Sequence, residues 1–183
     1  MKTMGKRLVV LLVVVSMAAA LTLTGCTGGS NNDQTSQGGS ITDTISQLLE
    51  GDVNGQVGQE YATKWFTFTV NSMSTGTSFA GYTAGSGNKL VIANITITNT
   101  FGSAQPFGTY DWFVKGDGST EEIWPLSPLN NTMMPDSFMV NDNETVTYDV
   151  VVEFPSDLKN PMFMYTEVDE KGSVFTTFKI AIK

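Results

Sequence analysis

The residue types that make and break bonds are scarce in this chain of 183 residues: it has no histidine and one cysteine, Cys26. A Ser or Cys nucleophile needs a base, usually histidine, to take its proton, so triad chemistry has no parts here. Zinc and copper sites built on His and Cys fail for the same reason. Ser-x-x-Lys spacing occurs at Ser86-Gly-Asn-Lys89 and Ser156-Asp-Leu-Lys159, but these lysines read as strand or turn surface and not as a catalytic base. Carboxylates are what remains. Asp111, Asp117, Glu121 and Glu122 lie close in sequence, and a paired-acid hydrolase needs two such groups facing across a cleft. A charged hairpin is more often a solvated edge that blunts aggregation. Asp117-Gly-Ser-Thr-Glu121 offers oxygen ligands but too few for a calcium loop. Met133, Met134, Met139, Met162 and Met164 could bind Cu(I) through thioethers, yet methionine usually fills cores, and that is the expectation for them here. No metal or cofactor site is expected.

Aromatic rings carry the recognition chemistry. Phe101, Phe107, Tyr110, Trp112, Phe113 and Trp124 crowd one third of the domain. Those that lie exposed beside polar loops could stack on a sugar ring or a partner's side chain. Phe107, Tyr110, Phe113 and Trp124 are the candidate contact residues, and the loop from Phe101 to Thr109 is a candidate for exposure. Trp112 is expected in the core, at the place where an immunoglobulin-like sandwich buries its central tryptophan.

These residues need a scaffold, and the sequence supplies it in three parts. Lys2, Lys6 and Arg7 precede an apolar run from Leu8 to Leu21, too short for the roughly 20 residues of a membrane-spanning helix. Leu23-Thr-Gly-Cys26 follows and resembles the bacterial lipoprotein lipobox. That resemblance implies a signal peptide over residues 1–25, cleavage before Cys26 and acylation of its sulfur and new N-terminus. Two or more acyl chains anchor stably where one does not. The expected location is therefore the extracytoplasmic face of the cell membrane, with Cys26 as the lipid attachment site. A chain beginning at Cys26 sets seven lysines and no arginine against 18 carboxylates, which excludes nucleic acid as a partner because phosphate neutralisation relies on Lys and Arg.

Residues 26–60 read as a linker. Thr27 to Ser40 holds no apolar residue and cannot offset its ordering entropy. Ile41 to Glu50 places Ile41, Ile45, Leu48 and Leu49 at helical spacing, a possible short helix. Gly51 to Glu60 returns to linker composition.

Residues 61–183 read as one domain of strands. Val91, Ala93, Ile95 and Ile97 alternate with Ile92, Asn94, Thr96 and Thr98, and Val146, Tyr148, Val150, Val152 and Phe154 alternate with Thr145, Thr147, Asp149, Val151 and Glu153. Period-two patterning of this kind marks half-buried strands of an antiparallel sheet. Similar runs are Trp65 to Asn71, Tyr110 to Lys115, Glu121 to Leu126, Phe138 to Val140, Met162 to Val168 and Val174 to Ile182, with turns at 116–118, 141–143 and 170–172. About seven short strands imply two sheets face to face, an all-β, immunoglobulin-like antiparallel β-sandwich.

Several segments carry a family resemblance: Val70-Asn71-Ser72, Lys89 to Thr100, Lys115-Gly-Asp-Gly118, Asn143-Glu-Thr-Val146 and Val151-Val-Glu-Phe-Pro155. Together they resemble a family of secreted or lipid-anchored bacterial domains of unassigned function. Its fold is immunoglobulin-like (telokin-like) and related to a small secreted mycobacterial antigen. The family usually has glycine where Asn143 stands, and Asn tolerates the left-handed turn that glycine would make. The resemblance implies a non-catalytic binding module of the cell envelope whose partner is a protein or an envelope glycan. The alternatives are a carbohydrate-binding accessory domain or, less in keeping with the composition, a carboxylate hydrolase.

Overall fold

The computed structural model describes residues 51–168 and 172–183. The signal segment, Cys26, the possible helix at 41–50 and most of the turn at 170–172 lie outside the described residues.

The described residues form twelve strands: β1 (Gly51–Gly55), β2 (Glu60–Ala62), β3 (Phe66–Gly76), β4 (Ser78–Phe79), β5 (Tyr82–Thr83), β6 (Asn88–Asn99), β7 (Gln105–Phe107), β8 (Trp112–Lys115), β9 (Phe138–Val140), β10 (Thr145–Pro155), β11 (Met162–Val168) and β12 (Val174–Ala181). Eight of them form two four-stranded sheets, β1-β12-β11-β8 (sheet I) and β10-β6-β3-β2 (sheet II); β4-β5 and β7-β9 are two-stranded. The fold is the expected all-β sandwich. Every pair is antiparallel except β1 with β12, which runs parallel.

The alternation read from the sequence sets the register. Val91, Ala93, Ile95 and Ile97 of β6 lie beside Val150, Val152 and Phe154 of β10 and Phe66, Phe68 and Val70 of β3 on the inner face of sheet II, inside a single apolar cluster. Trp112 is buried as expected, with its ring stacked on Phe163 at 5.6 Å. Asn143 takes φ 60°, so the asparagine does supply the left-handed turn between β9 and β10.

Two readings are corrected. The composition of residues 51–60 reads as linker, yet Gly51–Gly55 is a strand and Glu60 opens a second, Glu60–Ala62. β1 has one apolar side chain, Val53, and it packs on the core; parallel pairing with β12 supplies backbone partners that composition cannot reveal. Conversely, Glu121 to Leu126 is not a strand. It makes a single bridge, Ile123 to Val114, because Pro125 cannot donate to a ladder. Its last residue and the loop after it pair with the free edge of β10 instead, with Leu126 N–H donating to Val151 C=O at 2.8 Å and Met134 N–H to Asp149 C=O at 2.9 Å.

Candidate recognition face

The outer face of sheet I holds the candidate site. Strand alternation points Phe113 and Lys115 of β8, Met164, Thr166 and Val168 of β11, and Thr177 and Lys179 of β12 away from the core, and these residues line one groove of about 520 Å³. That volume lies within the range of small-molecule and peptide sites. Its floor is Phe113 and Met164, both nearly covered, while Val168, Val174, Tyr110 and Trp124 on the rim are 47%, 65%, 47% and 47% exposed.

Local chemistry sets the two aromatic rims. Tyr110 lies in a 3-10 turn, Thr109–Asp111, that leads into β8. The turn is pinned by Gly108 N–H donating to Asp111 Oδ2 at 2.9 Å and by Asp111 N–H donating to Gly108 C=O at 3.2 Å. Gly108 has no substitute here, since a Cβ would sit 2.3 Å from the Asp136 carbonyl oxygen. Crowding by surrounding atoms raises the Asp111 pKa, and the Gly108 bond opposes that rise. On the other side the bridge at Ile123 turns Trp124 back over Phe113, with ring centroids 5.5 Å apart and planes tilted by 52°. The hydroxyls of Tyr110 and Ser127 lie 3.3 Å apart.

Three of the four candidate aromatics therefore converge: Tyr110, Phe113 and Trp124. Phe107 does not. It belongs to β7, which pairs with β9, and its ring packs at 5.0 Å on Phe66 inside the core. The loop around it is only partly exposed, with Phe101 set against Trp65 at 4.6 Å. The methionines also divide. Met133 and Met134 enter the apolar clusters and Met139 is exposed, whereas Met162 and Met164 line grooves on the outer face of sheet I rather than the core. The same-side placement of the last two was legible in their spacing, but which side was not.

Sequence reasoning missed the contribution of β12. Val174, Thr177 and Lys179 complete the groove, and Lys179 forms an ion pair with Asp52 of β1. It also missed Glu167, which points inward beneath this face. The side chain is buried, Oε1 accepts the Lys64 N–H at 2.8 Å, and Oε2 has no hydrogen-bond partner among the described residues. Burial raises its pKa, against the lowering effect of the Lys64 bond. Among the described residues no group of three His, Cys, Asp or Glu side chains is placed to hold a metal.

Three solved structures share this architecture. The candidate lipoprotein ycdA from Bacillus subtilis aligns at 15% identity and TM-score 0.52, over 67% of this chain and 38% of its own length. The chain thus spans well under half of that protein. The yjhA protein, also from Bacillus subtilis, aligns at 12% identity and TM-score 0.53 over 68% of this chain and 98% of its own. The secreted protein MPT63 from Mycobacterium tuberculosis aligns at 9% identity and TM-score 0.52 over 70% of this chain and 97% of its own. The likeness is one of fold. It bears out the resemblance read from the strand segments and turns. No protein-family model matches the chain, and no curated protein does.

Proposed function

We propose that the protein is a non-catalytic recognition module, tethered to the extracytoplasmic face of the cell membrane by lipid on Cys26, and that it binds a partner in the outer groove of sheet I. The tether rests on Leu23-Thr-Gly-Cys26 and the apolar run before it; the similar folds of a candidate lipoprotein and a secreted protein agree with it. One observation carries the recognition site: Trp124 and Tyr110 stand half-exposed, with Val168 and Val174 also exposed, around a groove floored by Phe113 and Met164. Exposed aromatics around a desolvated floor are the usual anchors of binding.

A protein segment fits better than a glycan. Sugar-binding platforms present rings flat and side by side, whereas Phe113 lies beneath Trp124 and the two planes are tilted by 52°. Trp124→Ala tests the site by capture from detergent-solubilised envelope, with soluble glycan fragments titrated against tryptophan fluorescence in parallel. Loss of capture with no glycan response supports a protein partner; capture equal to that of the native chain overturns the site. For the tether, Cys26→Ser is expected to abolish lipid labelling and membrane partitioning, and a native chain that takes no lipid label overturns it.

A further inference from the structure

From the free edge of sheet I, we infer that β1 pairs with β1 of a second copy of the chain, antiparallel about a two-fold axis at Val53, and so joins the two four-stranded sheets into one of eight. The pairing does not depend on what the outer groove binds.

Four strands end the two sheets, and three of those edges are guarded. The edge of β8 is taken by Ile123, whose N–H and C=O both bond Val114 at 2.8 Å. The edge of β10 is taken by Leu126 and Met134. β2 is only three residues long and opens on the charged Glu60. Short or charged edges resist pairing with another chain. β1 is five residues long and carries no proline, lysine or bulge. Among the described residues its backbone bonds only to β12, so every second N–H and C=O faces outward without a protein partner.

The sequence of β1 is what selects a second copy as the occupant. Gly51-Asp-Val-Asn-Gly55 has the same pattern of side-chain sizes in both directions. Paired antiparallel about Val53, Gly51 meets Gly55 and Asp52 meets Asn54, which uses all five residues and sets no like charges opposite each other. Centring one residue earlier would put Asp52 against Asp52. The outer face of sheet I completes the match. Asn54 is the ladder neighbour of Lys179 and Asp52 that of Thr177, so the rank across the junction reads Lys179, Asn54, then Asp52 and Thr177 of the second copy. The Asn54 amide can donate to that carboxylate with an ammonium group beside it. A two-fold contact of this kind closes on itself and ends with the dimer. A five-residue edge is small beside the roughly 1,200 Å² of a stable specific interface, so the dimer is expected to depend on concentration.

The test uses full-length chains in the Cys26→Ser background, which leaves no other thiol, purified in detergent micelles and mildly oxidised. Asp52→Cys mixed with Asn54→Cys should give disulfide-linked dimer at least tenfold above either variant alone, because residue 52 lies opposite residue 54 of the second copy and too far from residue 52 for a bond. Equal yields from the mixture and the single variants overturn the pairing. Independently, amine cross-linking of the native chain in membranes should give dimer. Asn54→Asp, which sets Asp52 against a carboxylate while keeping an acid beside Lys179, should cut that yield severalfold with the thermal midpoint unmoved. Adding Asp52→Asn restores opposite partners and should restore the yield. Dimer indifferent to Asn54→Asp, or no rescue by the exchange, overturns the inference. Cross-links to a different protein in place of dimer also overturn it and give the edge to a foreign strand.

Discussion

The two outer faces of the sandwich are built by one rule and end differently. Both sheets alternate residues in and out, yet sheet II turns hydroxyls and amides outward along most of its length and sheet I turns out Phe113, Met164, Val168 and Val174. On sheet II the registers bring Thr67, Thr98 and Thr145 into one rank and Thr69, Thr96 and Thr147 into the next. The hydroxyls of Thr96 and Thr147 lie 2.8 Å apart, as do those of Thr98 and Thr145, and Asn94 Nδ2 donates to Asp149 Oδ1 at 2.8 Å. The bulged Asn71 extends the network by donating to Asn94 Oδ1 and Thr96 Oγ1. Where sheet II does turn apolar residues outward, the β4-β5 hairpin and the 126–133 loop cover them. Folding therefore has two ways to deal with an outer face, and on sheet I the described residues apply them only in part: Trp124 lies over Phe113, while Val168 and Val174 stay exposed. Apolar surface that folding leaves unused is where recognition is sought.

The contrast between inner and outer positions breaks most violently at Val150, fully buried on β10, whose neighbour Asp149 faces outward. Val150→Asp buries an unpaired charge, at a cost above about 4 kcal/mol, which is much of a small domain's total stability. The variant is expected to be unfolded by circular dichroism. Asp149→Val is expected to fold and to lose about 1–2 kcal/mol in urea titration, because Asn94 Nδ2 and Thr132 Oγ1 each lose an acceptor. Equal tolerance of the two would overturn the register.

Next in size is Trp124→Ala. Truncating a half-exposed anchor is expected to weaken partner binding by about 2 kcal/mol, roughly thirtyfold, while the midpoint of thermal unfolding moves little. A large fall in stability without a binding effect would make Trp124 merely a lid on Phe113.

Glu167 sharpens the comparison from inside sheet I. Its folded-state pKa is raised by burial above the ordinary 4.5, so the folded domain holds the proton more tightly than the unfolded chain. The stabilisation this gives is complete below the unfolded-state pKa, and it is lost as pH rises through the folded one. Glu167→Gln keeps an acceptor for the Lys64 N–H and removes the charge. Its stability is expected to fall less with rising pH than that of the native domain, the raised Asp111 remaining to titrate, as measured by urea midpoints from about pH 4 upward. A Glu167→Gln profile that falls as steeply as the native one would contradict the burial of the carboxyl.

How far the sequence foretold this depends on whether a residue's partner is local. β6 and β10 were legible because their side chains alternate cleanly and each buries one whole face; Trp112 was legible because a large ring among β-branched neighbours has little alternative to the core. β1 was not, because its only apolar residue is Val53 and its stability comes from backbone bonds to β12, more than a hundred positions away. Glu121 to Leu126 misled for the converse reason: its composition suits a strand, but Pro125 removes a donor and the edge of β10 takes up the residues after it. Of the candidate site, Tyr110, Phe113 and Trp124 were found by ring chemistry alone. Phe107 was misassigned because Gly and Pro around it signal a loop and say nothing about which way its ring turns.

The smallest effect is predicted on the polar face. Thr96→Val keeps the β-branched shape that suits a strand and removes one hydroxyl, leaving the Thr147 hydroxyl and the Asn71 amide to water at the surface. Because both lost partners are solvent-accessible, no buried group is stranded, and the cost is expected to be below about 1 kcal/mol. Partner capture should equal that of the native chain. A Thr96→Val variant that folds normally but loses capture would move the recognition surface from sheet I to sheet II, since the hydroxyl ranks would then be contacts in their own right and not simply the solvated side of a sheet.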